Sequence, residues 1–188
     1  MTLQKTVLHV DMDAFYASVE KSRKDLKGAV VVCVYSGRTE DSGAVSTCSY
    51  EARELGIHAA MPITRAKDIA EKSDQKVHFV GMDKEYYRNV SDRISDEIYD
   101  KYAEAIEQAS IDEAFLKIDE YMDQAVEIAE EIQGEVRREF QLTCSIGVAQ
   151  NKLVAKIASD QEKPKGLTVV RENEVREFMY NLELGDIH

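Results

Sequence analysis

The chain has 188 residues, 36 acidic against 24 basic side chains, a formal net charge of −12 and a hydrophobic share of 44%. That length can bury a core as one domain or two small ones, and the apolar share excludes wholesale disorder. The acidic balance disfavours a stand-alone nucleic-acid binder, which carries a basic face, unless metal ions, a local basic patch or a basic partner domain supply the attraction. On charge alone a protein or small-molecule partner leads. No apolar run approaches the roughly 20 residues of a membrane helix, and MTLQKTVLHVDMD lacks a signal-peptide core. Cytoplasm is therefore the expected compartment, with no membrane partner. Cys33, Cys48 and Cys144 show no CxxC spacing and fit neither a disulfide framework nor structural zinc.

Thr6–Val10 predicts a short strand ending at Asp11, and Phe15–Glu20 a helix closed by a turn near Lys27-Gly28. Ala29–Tyr35 (AVVVCVY) is a β-branched run, hence a buried strand. Ser36–Gly43 is a polar loop and Ala44–Thr47 a further strand. Ser49 suits the N-cap of a helix to Leu55 that Gly56 stops, and Pro62 the first turn of a helix reaching Lys72. Val77–Val80 is a strand. Asp83–Tyr102 is a long helix with Tyr87, Val90, Ile94 and Ile98 on one face. Met122–Phe140 repeats that pattern. Leu142–Val148 is a strand, Asn151–Ser159 a helix, Leu167–Val170 a strand and Glu172–Leu182 a helix.

Between the two long helices lies ASIDEAF, residues 109–115, where Asp112 and Glu113 sit between the apolar runs Ala105–Ser110 and Ala114–Ile118. The runs read as a hairpin with the acids at or beside its connection. Adjacent carboxylates repel, and a divalent-cation site is one reason to tolerate them; a solvated turn is the plain alternative. Asp11 and Asp13 form a second acidic pair. With Phe15–Val80 set aside, the order is strand, helix, strand, strand, helix, strand, the split βαβ or ferredoxin-like arrangement, α+β in class. Such a sheet brings the first strand beside the hairpin. Three or four carboxylates would then converge, as in a two-metal phosphoryl-transfer site.

HVDMDAFYASVE, SGAVSTCSYEAR, ASIDEAF and NKLVAKIASDQEKPKG occur in this order, and together they resemble the Y-family, lesion-bypass DNA polymerases of the DinB-like branch. The resemblance runs from Val7 to about Val170. It implies a ferredoxin-like palm over 1–14 plus 81–170, a small inserted α/β fingers lobe over 15–80, and the start of a thumb over 171–188. It further implies template-directed nucleotidyl transfer from a deoxynucleoside triphosphate (dNTP) to a primer 3′-hydroxyl, with error-prone translesion synthesis as the expected role.

Carried onto this sequence, the family pattern makes Asp11 and Asp112 ligands of two Mg²⁺ ions, with Mn²⁺ able to substitute. Glu113 completes the site, and the backbone carbonyl of Met12 joins the nucleotide-bound metal. Asp13 is open between metal ligation and holding the local backbone. Thr47, Tyr50, Arg53 and Lys163, with the backbone amides of Phe15 and Tyr16, would bind the triphosphate. Tyr16 would discriminate the sugar, and Val34, Ala44 and Ser46 would border the nascent base pair. The implied partners are primer-template DNA, dNTP and a sliding clamp reached through sequence beyond His188. The family continues into a thumb and a basic C-terminal domain, so weak activity is expected of this length of chain. The alternatives are a nearly silent nucleotide- or partner-binding fragment and another palm-type enzyme such as a nucleotidyl cyclase, which would not require Tyr16, SYEAR or KPKG.

Overall fold

The computed structural model describes residues 6–37 and 42–182. The chain is a mixed α/β protein with two sheets, and it divides into two compact units. One takes in the chain up to Asp13 and from Arg88 onward; the other is Ala14–Tyr87. Tyr87 stacks on Tyr16 and donates from its hydroxyl to buried Glu20, which ties the first turn of its helix to the second unit.

In the first unit the sheet order is β5-β6-β1-β7-β8, built from β1 (Thr6–Met12), β5 (Ala105–Gln108), β6 (Glu113–Ile118), β7 (Cys144–Ala149) and β8 (Leu167–Val169). β1 is central, antiparallel to β6 on one side and β7 on the other. Asp11 was expected to follow this strand. It lies within it, because the ladder continues through Asp11↔Glu113 and Asp11↔Ser145 to Met12. Alternation of side chains sends Leu8, Val10 and Met12 to one face and His9 and Asp11 to the other.

Helix α4 (Lys84–Glu97) buries Tyr87, Val90 and Ile94 along its expected stripe, but it does not reach Tyr102 as one helix. Ile98 leaves helical geometry and a 3₁₀ turn, Tyr99–Lys101, follows. Likewise α5 (Met122–Glu135) passes into a π turn at Val136–Phe140, closed by Gln141 in left-handed geometry. Helix α6 (Lys152–Gln161) lies directly on β7. Its N-cap Asn151 accepts from the Val154 amide at 3.0 Å. A side chain at Gly147 would overlap the carbonyl oxygen of Ala155, so this glycine sets how closely helix meets sheet. Helix α7 (Val175–Tyr180) is shorter than expected, and residues 183–188 of the expected thumb start lie outside the described residues.

The second unit holds the sheet β3-β2-β4: β2 (Ala29–Tyr35) at the centre, β3 (Gly43–Cys48) antiparallel and β4 (Val77–Gly81) parallel to it. Its helices are α1 (Phe15–Arg23), α2 (Tyr50–Glu54) and α3 (Ile63–Glu71). Ala29, Val31 and Cys33 alternate into a core with Val45, Cys48, Ala52, Ile57 and Ile63. Ser49 precedes α2 as expected, yet its hydroxyl makes no cap. It accepts instead from the Val30 amide of β2 at 3.1 Å, giving a buried strand donor its partner. Residues 38–41 of the expected loop lie outside the described residues.

Candidate active site

The hairpin turn between β5 and β6 is organised by Ser110. Its hydroxyl donates to the Asp112 carboxylate at 2.6 Å and accepts from the Glu113 amide at 3.2 Å, while the amides of Ala109 and Ser110 reach the Glu113 carbonyl. Polar side chains satisfying their own turn in this way are common in tight connections. The Met12 amide donates to the Asp112 carbonyl at 2.9 Å, which joins the turn to the end of β1. With Asp11 directly opposite Glu113, the two side chains leave the same sheet face from Cβ atoms about 5 Å apart.

Lysines from α6 and from the loop that follows it cover that face. Lys156 Nζ stands 2.6 Å from Glu113 Oε2, and Lys163 Nζ stands 2.6 Å from Asp11 Oδ2 and 2.7 Å from Asp160. Burial is the largest influence on Asp11 and raises its pKa to about 6; the Lys163 ammonium opposes this, and the nearby Glu113 and Asp112 charges add to it. Burial also raises Glu113, but the hydrogen bond and charge of Lys156 outweigh it and leave Glu113 below the usual carboxylate range. For Lys163 burial favours loss of the proton, yet contact with Asp11 and Asp160 holds the pKa above that of a free lysine.

Behind Glu113 lies His9, fully buried. Ser159 Oγ donates to the Lys156 carbonyl at 2.7 Å, so it accepts the proton of His9 Nδ1, also at 2.7 Å. That fixes the Nδ1–H tautomer and turns a bare Nε2 toward Glu113 Oε2 at 3.6 Å. Burial is the chief reason that the His9 pKa falls to about 4; the Glu113 carboxylate works against it.

Asp13, 2% exposed, points elsewhere. Its oxygens accept from Ser145 Oγ at 2.8 Å and from the Lys165 amide at 2.9 Å. Of its two expected roles, the geometry is that of holding backbone: Asp13 pins the loop that carries Lys163.

The second unit carries the other expected residues. Tyr50 opens α2, and the Arg53 guanidinium lies 4.7 Å from the centroid of its ring, so the two share a face as their spacing implies. Thr47 belongs to β3, opposite Val32. The five-residue α2 has little dipole to offer an anion, which leaves Arg53 as the main source of charge there. Phe15 is buried, whereas Tyr16 is only partly so and stacks on Tyr87 with centroids 4.5 Å apart and planes 15° from parallel. Val34 is 49% exposed and sits opposite Ala44.

Among the described residues, no three His, Cys, Asp or Glu side chains are grouped as a ready ion cage. The carboxylates of Asp11, Asp112 and Glu113 are turned to Lys163, Ser110 and Lys156 respectively. The donor set nevertheless fits a hard divalent cation: carboxylate oxygens from adjoining strand ends, with acids near enough to disfavour the charge on Asp11. Sequence reasoning picked out Lys163 and missed Lys156, His9 and Ser159. The available signals were the alternation of His9 with Asp11 along one strand and the helical spacing of Lys152 and Lys156.

The profile of the impB/mucB/samB family matches residues 10–160. The DNA polymerase IV of Metallosphaera sedula is 46% identical over 186 residues, 96% of this chain and 52% of the relative. That of Lactococcus lactis subsp. cremoris is 43% identical over 98% of this chain and 50% of the relative. The chain thus spans about half the length of the curated relatives it matches. Among solved structures, a Y-family DNA polymerase chimera superposes with a TM-score of 0.89 at 41% identity, covering 97% of this chain and 53% of that one. An insertion ternary complex of Dbh DNA polymerase gives 0.87 at 42% identity, with the same coverage. A family match across most of the sequence, on a backbone this close to solved Y-family enzymes, makes the chain a member of the impB/mucB/samB family.

Proposed function

We propose that this chain is the catalytic core of a cytoplasmic translesion DNA polymerase, transferring a deoxynucleotidyl group from dNTP to a primer 3′-hydroxyl with release of pyrophosphate. The observation that carries this reading is the register of β1 on β6, which sets Asp11 beside Glu113 at adjoining strand ends. On this reading the first unit is a ferredoxin-like palm, an assignment supported by its β5-β6-β1-β7 order, and the second is the fingers lobe. Asp11, Asp112, Glu113 and the Met12 carbonyl would hold two Mg²⁺ ions, for which Mn²⁺ can substitute. Such ions, when bound, stabilise charge on attacking and leaving oxygens of a phosphoryl transfer.

The protein's own groups have distinct tasks. Glu113 faces the primer hydroxyl. Arg53, whose planar guanidinium suits two phosphate oxygens at once, binds the triphosphate with Thr47, Tyr50, Lys163 and the amides of Phe15 and Tyr16. Tyr16 excludes a 2′-hydroxyl, and its stack on Tyr87 supports that role by limiting how far the ring can yield. One similar structure is an insertion ternary complex, and by likeness primer-template DNA and dNTP are the partners here.

Primer extension at low salt and high protein concentration tests the reading. Asp112→Ala is expected to lose at least a hundredfold in incorporation while keeping its circular dichroism spectrum. Wild-type turnover in that variant would refute the metal role, and nucleotide binding without any extension by the wild type would favour a binding fragment.

A further inference from the structure

Lys152, Lys156 and Lys163 each meet an acid from a different neighbouring strand: Glu107 on β5, Glu113 on β6 and Asp11 on β1. Lys152 and Lys156 are four apart and share a helical face. Glu107 has no place in the proposed site; Glu113 and Asp11 do. Together Asp11, Asp112 and Glu113 bring three negative charges, and Lys156 and Lys163 return two positive ones.

The two lysines are held differently. Lys163 is clasped by two carboxylates, Asp11 and Asp160. Among the described residues the Lys156 ammonium forms its ion pair with Glu113 alone, at 2.6 Å, and both side chains keep some solvent contact (32% and 24%). A lysine is a compact charge on a flexible stem, so this contact can open without disturbing α6, whose backbone at Lys156 is tied separately through Ser159.

We infer that Lys156 is a tethered counter-ion that holds the place of a divalent cation on Glu113 and competes with metal for that carboxylate. The inference rests on the metal-site reading above. Lys156 thereby offsets part of the negative charge of the acidic cluster at the cost of divalent affinity.

The test uses the whole chain, stripped with chelator, with Mn²⁺ as probe and no nucleotide, read by electron paramagnetic resonance and titration calorimetry at low salt. Removing one charge this close to a divalent ion should tighten Mn²⁺ binding roughly tenfold or more in Lys156→Met. Lys156→Arg should bind like the wild type, and Lys152→Met should change nothing. Unchanged or weaker Mn²⁺ binding by Lys156→Met, with its circular dichroism and melting intact, would overturn the inference. If that variant melts early, Lys156→Gln repeats the measurement, and loss of the fold in both would mark Lys156 as a structural strut and overturn it too. Wild-type Mn²⁺ binding no better than that of Glu113→Gln would overturn the metal reading itself, and this inference with it.

Discussion

His9 and Asp11 lie two residues apart on one face of β1, and burial drives both toward neutrality, with opposite consequences for stability. The folded protein lowers the pKa of His9 from 6.5 to about 4. Between those values the unfolded chain binds the extra proton, so the contribution of His9 is complete above pH 6.5 and is lost as pH falls toward 4. Asp11 rises from 3.8 to about 6. Here the folded protein holds the proton more tightly, so its contribution is complete below pH 3.8 and is lost as pH rises through 6. At about 1.4 kcal/mol per pH unit, each interval is worth about 3 kcal/mol. Urea unfolding of chelator-treated wild type, His9→Gln and Asp11→Asn at several pH values between 4 and 7 separates the two. The stability difference between wild type and His9→Gln should grow by about 3 kcal/mol from pH 4 to 7. The difference between wild type and Asp11→Asn should shrink by a similar amount over the same range. Two parallel, pH-independent offsets would refute the reasoning that burial governs these groups.

Three further outcomes are expected. Tyr16→Ala should admit ribonucleotides in primer extension, and unchanged sugar selectivity would remove Tyr16 from the site. Arg53→Ala should weaken dNTP binding tenfold or more with little change for the unphosphorylated nucleoside, measured by calorimetry; equal losses for both would point to misfolding. Gly147→Ala should lower the melting temperature by several degrees, a loss of about 1–3 kcal/mol for an overpacked contact, and an unchanged midpoint would mean that α6 can lift off the sheet freely.

Local pattern was most legible where one element carries its own signal. The run AVVVCVY gave β2 with both ends correct, because a β-branched segment buried over most of its length has no competing reading. The acid hairpin was legible because two apolar runs flank polar residues. Periodicity could not see the break at Ile98, since Ile98 stays fully buried there, as a continuing helical stripe would require, and Tyr99 is buried beside it. Nor could it see that Ser49 would serve a strand amide rather than a helix end, or that Asp13 would hold the amide of Lys165. Those are contacts between distant parts of the chain, and one sequence carries no record of them. The same holds for Lys156: its spacing from Lys152 is local, but the strand acids it would meet depend on how α6 crosses the sheet.

That crossing depends on a missing methyl group. Because the backbone of α6 rests on Gly147, the lysine stems start close to the sheet, and their reach to the strand acids is short. A bulkier residue on β7 would raise the ammonium groups of Lys152 and Lys156 together while leaving Lys163 on its own loop, so a substitution that touches no ionised atom would retune the charge balance of the cluster.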